Sequence, residues 1–255
     1  MRKHQTKNKF KRSCLAFFYC IFFVFTCASA QEEENRPRGW NGDVSLGIAL
    51  ARGNSNTTNI SLSFTAEKLL TKTIEWANRG SYLLGRTAET KNSESIEVTS
   101  TAKWTHTAKL FSLIEITVLQ DKFKNYTYRI IPHLGMGYTI IRSDTAEVSL
   151  KSGISGVFTK FEDSGEKDYF NALMMGNEFI WKISPTAEFL QNFTINSNFA
   201  QLNNYFVRLE MSLSAAIAKG WALKLSLIDK YESLPVGEDI KKNDLIFLTN
   251  LSLKF

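Results

Sequence analysis

Apolar and polar residues alternate along almost the whole chain after residue 40, and this period of two restricts the fold more than any other feature. Residues 244–255 show the pattern at the very end of the chain. One side of this stretch consists of Leu245, Phe247, Thr249, Leu251, Leu253 and Phe255. The other side carries Asp244, Asn250, Ser252 and Lys254, with Ile246 and Leu248 as apolar exceptions. A period of two over about ten residues predicts a strand with one apolar and one mostly polar face.

Eleven further segments repeat this pattern, and the connections between them alternate in length. In the first segment Val44, Leu46, Ile48 and Leu50 alternate with Asp43, Ser45, Gly47 and Ala49. Short turns are predicted at 70–73, 106–110, 142–145, 183–186 and 218–221, and longer polar links at 52–57, 86–93, 121–127, 159–168, 197–204 and 230–243. Short turns at one end and longer loops at the other are typical of outer-membrane barrels, in which the turns are periplasmic. Twelve strands also place both chain termini at the short-turn end.

A membrane environment explains why so many strands are needed. A bilayer offers backbone groups no hydrogen-bond partner, so only helices or a closed barrel can span it. The chain has no apolar segment long enough for a spanning helix after residue 30. A soluble β-sandwich would alternate in the same way, but it would require neither the alternating connection lengths nor an export signal. We therefore predict an all-β fold, a 12-stranded antiparallel transmembrane β-barrel with meander topology over residues 40–255.

The first 30 residues have the three parts of a secretory signal. Six basic residues precede residue 13, an apolar run covers 14–26, and Ala28-Ser29-Ala30 forms a small-residue cleavage site. We predict cleavage before Gln31 and a periplasmic lead-in over 31–39. A lipoprotein signal acylated at Cys27 is the alternative, although Thr26 fits it poorly. All three cysteines lie in this segment, so the mature chain has neither disulfides nor cysteine ligands.

Removing the signal also removes the basic character of the chain. Six of the 31 Lys and Arg residues lie in it, and the remaining 25 balance 25 Asp and Glu. The formal net charge of +6 therefore gives no support for a nucleic-acid partner. The predicted location is the bacterial outer membrane, and we expect a monomer. The terminal Phe255 resembles the last residue of outer-membrane barrels, which implies outer-membrane lipid and the barrel-insertion machinery as partners.

The first strand and its loop carry the most specific motif. Trp40-x-Gly42 is followed by Gly47 and by Gly53-Asn54-Ser55-x-Thr57. This segment resembles the YdiY-like family of uncharacterised "salt-induced" outer-membrane proteins, and the resemblance extends in layout over residues 40–255. It implies an outer-membrane barrel and no defined activity. Gly53-Asn54 also suits a tight turn, because both residues tolerate positive φ, so we interpret the motif as a hairpin tip rather than a ligand site.

Charged residues on the polar faces are the candidate functional residues, since they would line the barrel interior. These lumen candidates are Arg79, Glu97, Lys103, Glu115, Lys151, Glu178, Arg208, Glu210 and Lys224. Both signs occur in similar number, which favours ion pairs over a field of single sign. The sequence thus predicts a passive small-solute pore or an envelope-stress and osmoadaptation protein. A structural or interaction barrel, with its lumen closed by ion pairs, is the alternative.

An outer-membrane lipid-processing enzyme is the remaining alternative, and it depends on histidine. The mature chain contains only His106 and His133, and neither is followed by serine two residues later. We therefore expect no enzymatic activity and interpret His133 as a polar lumen residue. The sequence has no metal-ligand or cofactor-binding fingerprint, so we expect no cofactor and no metal.

Overall fold

The structure is a computed structural model that describes residues 39–53, 57–86, 92–122, 124–236 and 240–255. The predicted signal segment and nearly all of the predicted lead-in lie outside these ranges. Twelve antiparallel strands form one closed barrel, and the fold prediction is confirmed. The strands are β1 Asn41–Arg52, β2 Thr57–Leu69, β3 Ile74–Arg86, β4 Asn92–Thr105, β5 Leu110–Asp121, β6 Tyr126–Arg142, β7 Ala146–Phe161, β8 Lys167–Ser184, β9 Ala187–Asn198, β10 Tyr205–Ala218, β11 Trp221–Glu232 and β12 Asn243–Lys254. Within the described ranges, no helix is both long and apolar enough to cross a membrane.

Each strand pairs with its neighbours in sequence, and β1 pairs with β12 to close the cycle. The closing register runs from Asp43 opposite Lys254 to Arg52 opposite Leu245. Closure leaves no open sheet edge, so the strands satisfy one another's backbone groups without help from solvent.

The two ends of the barrel differ in the length of their connections. Five connections of two to four residues lie at one end, which we call the turn end, and the loops at the opposite end, the loop end, run from four to ten residues. Several strands continue further toward the loop end than the sequence pattern predicted: β6 starts at Tyr126, and β7 ends at Phe161. The predicted loops at 121–127 and 159–168 were therefore too long. Polar residues such as Arg129 and Thr159 look loop-like in sequence, yet they are direct partners in the β6–β7 ladder.

The outward face of the wall is apolar and carries aromatic residues near its edges. Leu46 and Ile60 are exposed by about 60%, as a surface made for lipid requires. All five tryptophans lie within three residues of a strand terminus at the turn end; they are Trp40, Trp76, Trp104, Trp181 and Trp221. Lys68 lies over the Trp40 ring and Lys109 over the Tyr138 ring, at 5.6 and 6.0 Å from the ring centroids. This arrangement forms one aromatic girdle at the turn end.

The seam between β1 and β12 depends on close approach at Gly47. A Cβ atom at this position would lie 2.0 Å from the Thr249 carbonyl oxygen and 2.2 Å from Asn250 Oδ1. The space lets Asn250 reach across β1, where its Oδ1 accepts a hydrogen bond of 2.7 Å from Ser61 on β2. Ser45 and Ser252 are hydrogen-bonded across the same seam at 2.6 Å. Polar side chains inside the barrel thus join the first strand to the last.

Candidate functional site

Charged side chains from opposite walls meet inside the barrel. β4 and β10 are six steps apart in the strand cycle in either direction, so they face each other across the lumen. Arg208 Nη1 on β10 donates to Glu97 Oε2 on β4 at 3.1 Å, and its Nη2 donates to Glu210 at 3.1 Å. Lys230 on β11 lies 3.1 Å from Glu97 and 3.8 Å from Asp121. We call these five residues the cross-barrel cluster.

The cross-barrel cluster is only partly withdrawn from water. The side chain of Glu97 is 13% exposed and that of Arg208 is 28% exposed. Opposite charges at hydrogen-bond distance attract most strongly where water is scarce, and the Arg208 fork binds two carboxylates at once. The cluster therefore fastens one wall of the barrel to the other while remaining accessible to small ions.

A second set of contacts crosses the lumen between this cluster and the loop end. Arg129 Nη1 on β6 donates to Glu232 on β11 at 2.6 Å, and the Tyr126 hydroxyl donates to the same carboxylate. The guanidinium carbon of Arg129 lies 4.1 and 5.3 Å from the ring centroids of Tyr126 and Phe206. Lys124 and Asp244 form a further pair at 3.4 Å. Here the bases lie on the β5–β6 side and the acids on the β11–β12 side, which reverses the polarity of the cross-barrel cluster.

Small and apolar side chains fill the lumen on both sides of these bridges. On one side, buried side chains of β1, β3, β11 and β12 form a cluster of Ala49, Ala51, Leu83, Ile228, Ile246 and Leu248. On the other, Val157, Ala172 and Met174 are at most 2% exposed. Ile246 and Leu248, the exceptions in the alternating pattern of the last strand, thus belong to the interior packing. The loop-end half of the lumen is filled by side chains around a charged centre.

The structure places the other lumen candidates closer to the turn end, where they remain unpaired. Among the described residues, no carboxylate lies within 4.0 Å of the cationic groups of Arg79, Lys103, Lys151 or Lys224. Glu115 accepts from Thr101 at 3.0 Å, Glu178 accepts from Asn192 at 3.4 Å, and Lys103 lies 4.7 Å from the Phe111 ring centroid. Of the nine candidates, the structure therefore joins Glu97, Arg208 and Glu210 and leaves the other six without ion pairs.

Each of the two histidines in the described ranges, His106 and His133, has a serine neighbour that its sequence context does not reveal. His133 Nδ1 lies 3.2 Å from Ser155 Oγ and 3.1 Å from the Ile154 carbonyl oxygen, and Ser155 itself donates to Asn196. His106 Nε2 in the β4–β5 turn lies 2.9 Å from Ser112 Oγ. Strand register creates these contacts, which orient the imidazoles. Since the Ser155 hydroxyl donates to Asn196, its proton is not directed at His133.

Sequence reasoning did not identify Asp121, Lys124, Arg129, Lys230, Glu232 or Asp244 as site residues. Asp244 was on the predicted polar face of the last strand and Lys230 began a predicted link, but their partners come from segments far away in sequence. Asp121 and Arg129 fell within or beside a stretch predicted as loop. Alternation along a strand predicts which way a residue points, whereas the residue at the same height on the opposite wall follows only from the register of all intervening strands. These contacts could have been predicted only by assigning the register of every strand pair between the two walls.

Comparison with known proteins agrees with this architecture. The sequence model of a family described as "Protein of unknown function, DUF481" matches residues 44–255. Among solved structures, the NanC porin has a TM-score of 0.56 at 8% identity, covering 83% of this chain and 100% of its own. The KdgM porin has a TM-score of 0.50 at 8% identity, covering 84% and 99%. The translocator domain of the autotransporter NalP from Neisseria meningitidis also reaches 0.50 at 8% identity, covering 96% and 98%. At these identities the likeness concerns the fold, and no curated protein sequence matches the chain.

Proposed function

The chain belongs to the DUF481 family of proteins of unknown function, which confirms the YdiY-like resemblance, and from that premise we propose that it is an outer-membrane channel for small solutes. The turn end faces the periplasm and the loop end faces the exterior. The cross-barrel cluster closes the lumen and separates when a solute passes. The single observation that carries this proposal is the set of ion pairs joining β4 and β5 to β10 and β11 through the barrel centre.

The chemistry of the closure supports a channel that opens. Buried ion pairs are weak contributors to stability, since well-packed hydrophobic residues in their place are often neutral or stabilising by about 1–4 kcal/mol. A barrel that needed only to stay closed would be served as well by more side chains like Met174 and Ile228. Charged groups, by contrast, are stable both when paired and when hydrated, so Glu97 and Arg208 can separate into water. The likeness to two porins supports the proposal at the level of the fold.

Conductance in planar lipid bilayers tests this proposal. The double variant Glu97→Gln with Arg208→Gln removes the charges of the central pair, and Gln keeps the size of Glu97 while being shorter than Arg208. We expect the natural protein to conduct in small, brief steps and the double variant to conduct in larger and longer ones, because, of the contacts between these walls, only Lys230–Asp121, at 3.8 Å, remains. Glu178→Gln serves as a matched control, since Glu178 is a lumen carboxylate without an ion pair, and its conductance should equal that of the natural protein.

A permanently closed structural barrel is the second candidate, and the packing of the loop-end half favours it. Val157 and Ala172 are fully buried, and Met174 nearly so, beside the cross-barrel cluster. A core of this density resists water even when the ion pairs are removed. Silence of both the natural protein and the double variant, with each shown to be folded by heat-modifiable gel mobility, would establish this second candidate and refute the channel.

A further inference from the structure

We infer that the solutes this channel passes are zwitterions, carrying one positive and one negative group as a free α-amino acid does. The inference rests on the channel proposed above. A zwitterion carries the two charged groups that can take the place of Glu97 and Arg208 in each other's contacts.

Across the gap between the walls, the cross-barrel cluster sets acids on one wall against bases on the other, while its fifth member, Glu210, is an acid beside Arg208 on β10. The acids Glu97 and Asp121 lie on β4 and β5, whereas the bases Arg208 and Lys230 lie on β10 and β11. The contacts across the gap measure 3.1 Å for Arg208–Glu97, 3.1 Å for Lys230–Glu97 and 3.8 Å for Lys230–Asp121. A solute that passes between the walls must break these contacts, and its own groups then face the separated acids and bases.

The cost of breaking the contacts depends on what the solute offers in return. A neutral polyol offers no charged partner to Glu97 or Arg208, and an anion leaves Glu97 without its basic partners. A zwitterion compensates both walls at once, because its ammonium group binds Glu97 while its carboxylate accepts two hydrogen bonds from the Arg208 fork. A partly desolvated charge without a partner is costly, so the zwitterion faces the lowest barrier.

The next contacts toward the loop end impose the same requirement with opposite polarity. Arg129 projects from the β6 wall and Glu232 from the β11 wall, and they are paired at 2.6 Å. A solute with a single sign of charge is attracted to one wall and repelled by the other at both levels. A small zwitterion can turn between the two levels and satisfy each in succession. Two successive charged layers of reversed polarity therefore select for the presence of both signs.

Swelling of proteoliposomes in isotonic solutes tests the inference. L-serine and erythritol are similar in size and carry no net charge, but only serine has charged groups. After subtraction of protein-free liposomes, we expect serine to enter through the natural protein roughly tenfold faster than erythritol, a difference of about 1.4 kcal/mol in barrier height. In Glu97→Gln with Arg208→Gln, erythritol entry should rise and the ratio should fall, while the Lys230–Asp121 and Arg129–Glu232 pairs retain part of the serine preference. Arg208→Lys, which keeps the charge, and Glu178→Gln, which lies outside the cluster, should both retain the serine preference.

The outcomes separate the two proposals. Equal entry of serine and erythritol through the natural protein, together with measurable entry of both, would overturn the zwitterion inference and leave the channel intact. A preference for serine that is undiminished in the double variant would overturn it as well, because the Glu97–Arg208 pair would then have no part in the selectivity. Absence of entry for either solute in every folded variant would refute the channel itself.

Discussion

Gly47 lets β1 and β12 approach closely at the seam that closes the barrel. Gly47 faces the lumen on β1, and its Cα hydrogens leave the room in which Asn250 crosses to Ser61. We expect Gly47→Ala to destabilise the folded barrel by about 1–3 kcal/mol, since the added methyl group meets backbone and side-chain oxygen of β12. Guanidinium unfolding in detergent, followed by tryptophan fluorescence, measures the change.

Gly39→Ala is the matched control for this substitution. A Cβ atom at Gly39 would have no heavy atom within 4 Å, so the unfolding midpoint should not move. A Gly47 variant as stable as the Gly39 variant would show that the seam tolerates a side chain. The other glycines of the first motif are as confined, since a Cβ atom would lie 2.1 Å from the Thr65 oxygen at Gly42 and 2.4 Å from the Asn243 oxygen at Gly53. The three glycines of the motif thus have a structural role along β1, whereas Asn54 and Ser55 of the predicted hairpin tip lie outside the described residues.

The last strand, β12, closes the barrel by pairing with the first strand, β1. It pairs with β11 and β1, and Phe255 follows directly after its last residue. We propose that this terminal aromatic residue is read by the insertion machinery, and we expect deletion of Phe255 to lower strongly the amount of folded barrel in the outer membrane. Membrane fractionation combined with heat-modifiable mobility measures that amount.

Phe255→Tyr provides the comparison, because it keeps a terminal aromatic ring. It should assemble to nearly the natural level. Normal assembly of the deletion variant would contradict the proposed role of the terminal residue and would leave the pairing of β12 as the sufficient signal.

The number and order of the strands were predictable from the sequence, whereas their lengths and cross-lumen contacts were not. Alternation identified β12 and the outward positions of β3, and connection lengths identified the two ends. β6 and β7 extend further toward the loop end than predicted, because near the loop end a strand no longer needs an apolar outward face and its residues resemble those of a loop. The contact between Glu97 and Arg208 depends on registers accumulated over six strand pairings, and no local pattern contains that information.

For the whole molecule, the closed state should respond to ionic strength. The cross-barrel cluster is partly exposed, and the Debye length falls from about 10 Å at 0.1 M salt to about 3 Å at 1 M. We expect the open fraction of the natural protein to rise with salt beyond the increase that bulk conductivity explains, because screened pairs separate more often. The Glu97→Gln, Arg208→Gln double variant should exceed bulk conductivity by less, because fewer ion pairs remain to be screened. Single-channel recording over this range would contradict the mechanism if both proteins showed the same salt dependence.

The distribution of tryptophan gives the molecule a built-in optical label for one bilayer leaflet. All five indoles belong to the turn-end girdle. When tryptophan is excited selectively at long wavelength, nearly all of its fluorescence therefore originates at one depth in the bilayer. A quencher attached to lipids of only the leaflet at that end should extinguish the emission, and the same quencher in the opposite leaflet should leave it bright. The ratio of the two signals would report the direction of insertion in every reconstituted vesicle without a chemical tag.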